Sequence, residues 1–171
     1  VEDVTALAVT VELEVDAPAT EVFDAIADPT RVPQWSPECV RVSWTGGANG
    51  PEPGARFHAR NRAGDWEWDV TCEVVEVSRP ETFSWIVVGF SDDPLLPSST
   101  WRYRLTARPG GGTLITQTFR HGPGGSHLVT AMETQPDHAD ALYEFRRTVL
   151  RHNMNETMRT MAASLGWLPG H

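Results

Sequence analysis

The chain has 171 residues, 40% apolar and 22% charged, a balance expected of one folded domain spanning 1–171 rather than a disordered or fibrous protein. Its net charge of −9 sits mostly at the front, where nine of the 23 acidic residues fall in the first 40 positions against one base, Arg31; with no basic stripe elsewhere, nucleic acid is not an expected partner. No apolar run is long enough to span a membrane and Val1-Glu2-Asp3 lacks a leader pattern, so the expected location is the cytoplasm.

The first alternation, Val9, Val11, Leu13 and Val15 against Thr10, Glu12 and Glu14, predicts a half-buried strand. Asp16-Ala17-Pro18 reads as a helix start with Pro18 in the first turn, and Val22, Phe23 and Ile26 form the apolar face. Asp28-Pro29 interrupts that helix, and a second short one runs through Val32. Strands are then expected at Val40–Trp44, Ala55–Asn61, Trp66–Ser78, Thr82–Gly89, Ser99–Ala107 and Thr113–His121, separated by short turns. Gly122 to Gln135 reads as a flexible stretch, and a long helix follows over about 136–165, stopped by Gly166 and Pro169.

This order predicts an α+β protein: a curved antiparallel seven-stranded sheet wrapped around a long C-terminal helix, with two short helices after strand 1. A strongly twisted sheet curls, and one helix laid in its concave side does not fill the trough, so a cavity is expected there.

Particular residues strengthen this reading. Ala17-Pro18 with Val22-Phe23 and Ile26, Asp28-Pro29, Trp35-Ser36-Pro37, Pro53-Gly54-Ala55-Arg56-Phe57, Trp101-x-Tyr103-x-Leu105 and Gly112-Thr113-x-Ile115-Thr116 are spread over nearly the whole chain. In these the sequence resembles the polyketide cyclase/dehydrase branch of the helix-grip superfamily, shared with START lipid-transfer domains and birch-pollen-type allergens. The resemblance implies the helix-grip fold, a hydrophobic ligand, and cyclisation or dehydration as the reaction. It carries no universal catalytic signature.

Seven tryptophans in so short a chain are many, and strand alternation groups them. Trp66 and Trp68 share a face with Val70 and Cys72, Trp85 with Phe83 and Val87, and Trp101 with Tyr103 and Leu105. If these faces are concave, Trp68, Trp85, Trp101 and Tyr103 line the trough for a flat aromatic ligand, with Gln117 and Phe119 on the last strand; the same rings would serve equally to fill a core. On the long helix, Phe145, Val149, Leu142, Leu150, Met161 and Leu165 span an apolar arc in whose middle Arg146, Asn153 and Thr157 stand one above another. Arg146 could donate to a ligand carbonyl or enolate while Asn153 and Thr157 orient it, with Val149 beside them; alternatively Arg146 snorkels to the mouth and the other two bind water.

The catalytic candidates are therefore Arg146, Tyr103 and His121, the last at the rim of a loop that could act as a lid. His121, His127 and Glu133 have no zinc-site spacing, so no metal is expected. All 14 basic residues are arginine, which removes Schiff-base chemistry and lysine-anchored cofactors; no cofactor is expected. Cys39 and Cys72 are far apart and form no C-x-x-C, and read as idle thiols.

Three readings stand. The first is a protein binding a hydrophobic, aromatic or polyketide-like molecule, with cofactor-free cyclisation or dehydration by proton transfer. The second is a non-catalytic carrier or sensor of a hydrophobic ligand or lipid. The third is an interaction module using the acidic N-terminal region, which would require a collapsed trough. A homodimer stays open in all three.

Overall fold

The computed structural model describes residues 2–169. Seven strands form one antiparallel sheet: β1 (Ala8–Val15), β2 (Cys39–Thr45), β3 (Arg56–Ala63), β4 (Trp66–Ser78), β5 (Thr82–Val87), β6 (Ser99–Ala107) and β7 (Thr113–His121). Their spatial order is β1-β7-β6-β5-β4-β3-β2, so β1 and β2 are the two edges. The connection between them must cross one end of the sheet, and it does so with α1 (Ala19–Ile26) and a 3₁₀ segment, Pro29–Gln34. Pro18 lies just ahead of α1 rather than in its first turn. The second short helix is 3₁₀ and carries Pro33, whose missing N–H removes a rung of an α ladder.

The sheet bends where its registers slip, between Val74 and Glu76 on β4 and between Cys39 and Arg41 on β2. Against the concave side lies α3 (Ala139–Ser164), 26 residues and so roughly 39 Å long. A 3₁₀ turn, Pro136–His138, precedes it where the sequence predicted the first helical turn.

The stretch expected to be flexible contains a further helix, α2 (His127–Thr134). Ser126 caps it, its Oγ accepting from the Val129 N–H at 3.2 Å. Eight residues are too few to display a helical period, and the preceding glycines masked the start. The loop leading into α2 is also closely packed. A Cβ on Gly122 would stand 2.2 Å from the Pro97 carbonyl oxygen, and one on Gly124 would stand 1.9 Å from that of Leu96. Glycine is needed there for close backbone approach, and the Gly124 N–H donates to Pro97 O at 2.9 Å.

The core joins α1, the concave sheet face and α3. On α3 the buried stripe is Tyr143, Leu150, Met154, Met158 and Met161. At about 100° per residue, Arg146, Asn153 and Thr157 then lie on one flank of that stripe, not in its middle. The helix end is fixed by Gly166 at φ +73° and by the Trp167 N–H donating to Ala162 O at 2.8 Å. Trp167 Nε1 also donates to Glu21 on α1 at 2.9 Å, and Trp35 Nε1 to Ser164 at 3.0 Å.

Candidate functional site

The trough is open: between sheet and helix lies a cavity of about 620 Å³. The collapsed interior required by an interaction module is absent. Strand alternation and antiparallel register build the sheet wall. Trp85 pairs with Trp101, Trp101 with Phe119, and Tyr103 with Gln117, so these side chains share the concave face. The Trp85 and Trp101 rings are parallel within 1° at 5.9 Å, and Phe119 meets Trp101 edge-on at 4.9 Å. This is a flat apolar surface with polar groups set into it. Tyr103 is 5% exposed and its phenol oxygen makes no hydrogen bond among the described residues. Burial pushes its phenol far above the ordinary range, so it stays protonated and remains a donor. Gln117 is 4% exposed and its Oε1 is buried without a partner among the described residues.

The opposite wall is the flank of α3, where Leu142, Arg146, Leu150, Asn153, Met154 and Thr157 line the cavity. Val149, expected among them, does not. It projects past the polar flank, because the helix is rotated so that its buried stripe centres on Met154. Thr157 Oγ1 donates to the Asn153 carbonyl at 2.7 Å, an internal helix bond that occupies its proton.

Arg146 has a partner that its helical position did not reveal. Its Nη1 and Nη2 donate to the two carboxylate oxygens of Glu38 at 2.7 and 3.3 Å, with both side chains partly buried. Glu38 is held by its own backbone, since its N–H and that of Cys39 donate to Ser36 Oγ at 3.1 and 2.9 Å. The cation is thus neutralised inside the wall. Its pairing with a residue 108 positions away left no signal in the sequence beyond the acid itself.

His121 lies deeper than the rim, 6% exposed at the end of β7. Its Nδ1 is 2.7 Å from the Gly122 carbonyl oxygen and its Nε2 is 2.7 Å from Ser126 Oγ. A carbonyl only accepts, so Nδ1 carries the proton and Nε2 accepts from the Ser126 hydroxyl. Burial pushes the His121 pKa below its ordinary value; the bond to Gly122 opposes this and the nearby Arg146 cation adds to it. His121 is neutral at neutral pH. Ser126 is marked in the sequence only as the last residue of the glycine-rich loop, ahead of nine residues free of Gly and Pro.

The mouth is framed by Trp66 and Trp68, stacked at 4.3 Å on the β3–β4 hairpin, with His127 edge-on to Trp66 at 5.2 Å and to Phe90 at 5.8 Å. Exposed Phe90, Phe145 and Trp66 ring the opening. Cys39 and Cys72 both line the cavity, and burial raises the Cys39 thiol to about 11 and Cys72 further, so neither supplies a thiolate. No cluster of three or more metal-ligating side chains occurs among the described residues.

A family profile described as polyketide cyclase / dehydrase and lipid transport matches residues 6–164. The chain belongs to this family. Among solved structures it is similar to a polyketide-cyclase-like protein of Corynebacterium glutamicum, with a TM-score of 0.65, 24% identity, and coverage of 94% of this chain and 91% of that one. The di-domain ARO/CYC protein StfQ from the steffimycin biosynthetic pathway aligns with a TM-score of 0.67 at 14% identity, over 92% of this chain and 49% of StfQ. The major latex-like protein 151 of Panax ginseng aligns with a TM-score of 0.60 at 10% identity, covering 92% and 95%. At these identities the structures establish the helix-grip fold alone. No curated protein matches the sequence. Family membership and fold point to hydrophobic ligand binding, and no helix among the described residues is long and apolar enough to cross a membrane.

Proposed function

We propose that this cyclase/dehydrase-family protein takes a flat, aromatic or polyketide-like molecule into its cavity and promotes its cyclisation or dehydration by proton transfer. The observation that carries this is the pairing of an aromatic wall, Trp85, Trp101 and Phe119, with the buried polar groups Tyr103 and Gln117 on the same sheet face. The rings hold a planar ligand, and a buried phenol donates to a carbonyl oxygen where negative charge develops. Neutral His121 serves as the base through Ser126: the hydroxyl oxygen takes a proton from an activated methylene as its own proton passes to Nε2. Arg146, tied to Glu38, orients the ligand rather than meeting a full enolate charge. That same neutralisation favours the second reading, a carrier that binds without turnover.

One experiment separates them. Titration with 2-naphthol should quench tryptophan fluorescence saturably, and Trp101→Leu should weaken the affinity about tenfold. With a poly-β-ketone mimic as substrate, loss of water followed by mass spectrometry should fall about 10²-fold in Tyr103→Phe while naphthol affinity holds. Affinity changes with no turnover in the wild type identify a carrier.

A further inference from the structure

The Ser126–His121 contact joins two side chains of the cavity wall in an arrangement with chemistry of its own. Ser126 Oγ donates to His121 Nε2 at 2.7 Å, and the Gly122 carbonyl at 2.7 Å fixes the ring in the tautomer that leaves Nε2 free to accept. Both side chains line the cavity. The hydroxyl oxygen uses one lone pair for the long capping bond from the Val129 N–H, 3.2 Å, and keeps the other. The loop carrying the pair is packed against the backbone at Pro97 and Leu96, so the geometry is held rather than sampled. Directly after Ser126 begin the first turns of α2, whose His127 and Leu128 N–H groups have no partner among the described residues.

We propose that Ser126 and His121 form a nucleophile–base dyad that cleaves esters or thioesters of apolar, aromatic acids through transient acylation of Ser126 Oγ. The aryl or acyl portion lies along the Trp85–Trp101 wall with its carbonyl carbon at Ser126. The Oγ lone pair forms the new C–O bond while the hydroxyl proton passes to Nε2, and the carbonyl electron pair moves to oxygen, beside the open N–H groups at the start of α2. Collapse of that oxyanion breaks the bond to the alcohol or thiol, which leaves with the proton from Nε2. Water repeats the sequence on the acyl-serine: its proton goes to Nε2, its oxygen bonds to carbon, and Ser126 regains its hydrogen as the acid departs. No redox partner is needed.

The test uses the intact wild-type chain first. A fluorophosphonate probe should add once, at Ser126 as located by peptide mass spectrometry, and p-nitrophenyl butyrate should be hydrolysed with release of p-nitrophenol. Ser126→Asn retains a good helix-capping side chain but no nucleophile, and should abolish both labelling and hydrolysis. His121→Gln should slow labelling by about 10²-fold or more. A folded wild type that is not labelled, or ester hydrolysis that survives Ser126→Asn, overturns the dyad. The 2-naphthol titration is the separate control: a protein that binds naphthol but takes no probe loses the dyad and keeps the proposed binding function, whereas labelling without naphthol binding does the reverse.

Discussion

Arg146 and Glu38 meet as a two-point carboxylate–guanidinium pair in which neither side chain is fully wet, 29% and 16% exposed. Removing one member strands the other charge against an apolar wall. Arg146→Ala should destabilise the fold by about 1–2 kcal/mol in urea denaturation, a buried-pair cost reduced for partial exposure, and Glu38→Gln in the same chain should recover part of it. His121 supplies a pH dependence whose sign follows from its lowered pKa. The fold favours the neutral ring, so the unfolded chain binds more protons in acid. Stability from this group is complete above the unfolded value of 6.5 and is lost as pH falls through the lower folded value. Thermal melts at descending pH should therefore show a decline below about pH 6.5 that His121→Gln flattens. Residue type made Arg146, Tyr103 and His121 legible as candidates. Their partners Glu38 and Ser126 were not, because an ion pair or a hydrogen bond between distant residues has no periodicity to betray it.

At the scale of elements, the strands were readable because alternation and glycine- or proline-bearing turns coincide, and β4, β6 and β7 begin and end where the pattern does. Helices were harder at the short end. α2 has eight residues and follows Gly124-Gly125, so its capping serine was the only signal available. The stop of α3 was clear: Gly166 adopts φ +73°, and a Cβ there would meet nothing within 4 Å. Gly166→Ala should consequently cost about 1 kcal/mol from backbone strain alone, measured as a shift in the chemical denaturation midpoint with an unchanged slope. The buried stripe of α3 is rotated away from the middle of its apolar arc. An apolar arc identifies the core side of a helix only when everything on that side is core, and here one flank faces a cavity that tolerates Arg146 and Asn153.

At the scale of the whole molecule, a 620 Å³ cavity between sheet and helix means that much apolar surface lacks packing partners, a deficit an occupant would remove. A flat aromatic ligand should raise the melting temperature in a concentration-dependent way, equivalent to about 2.7 kcal/mol at 100 times its Kd. Differential scanning fluorimetry with 2-naphthol checks this, and the absence of any shift at saturation would count against a preformed site.

The sequence by itself determined the order of the seven strands and of the long C-terminal helix, the family, and which of the tryptophans, Tyr103 and Gln117 share a strand face, because each depends on local periodicity or on short motifs. Only the tertiary structure decided how far the trough stays open, which way α3 is turned, and which side chains meet across it. Those follow from sheet curvature and from contacts between β7, α2, α3 and the loop before β2, which no single stretch of sequence contains.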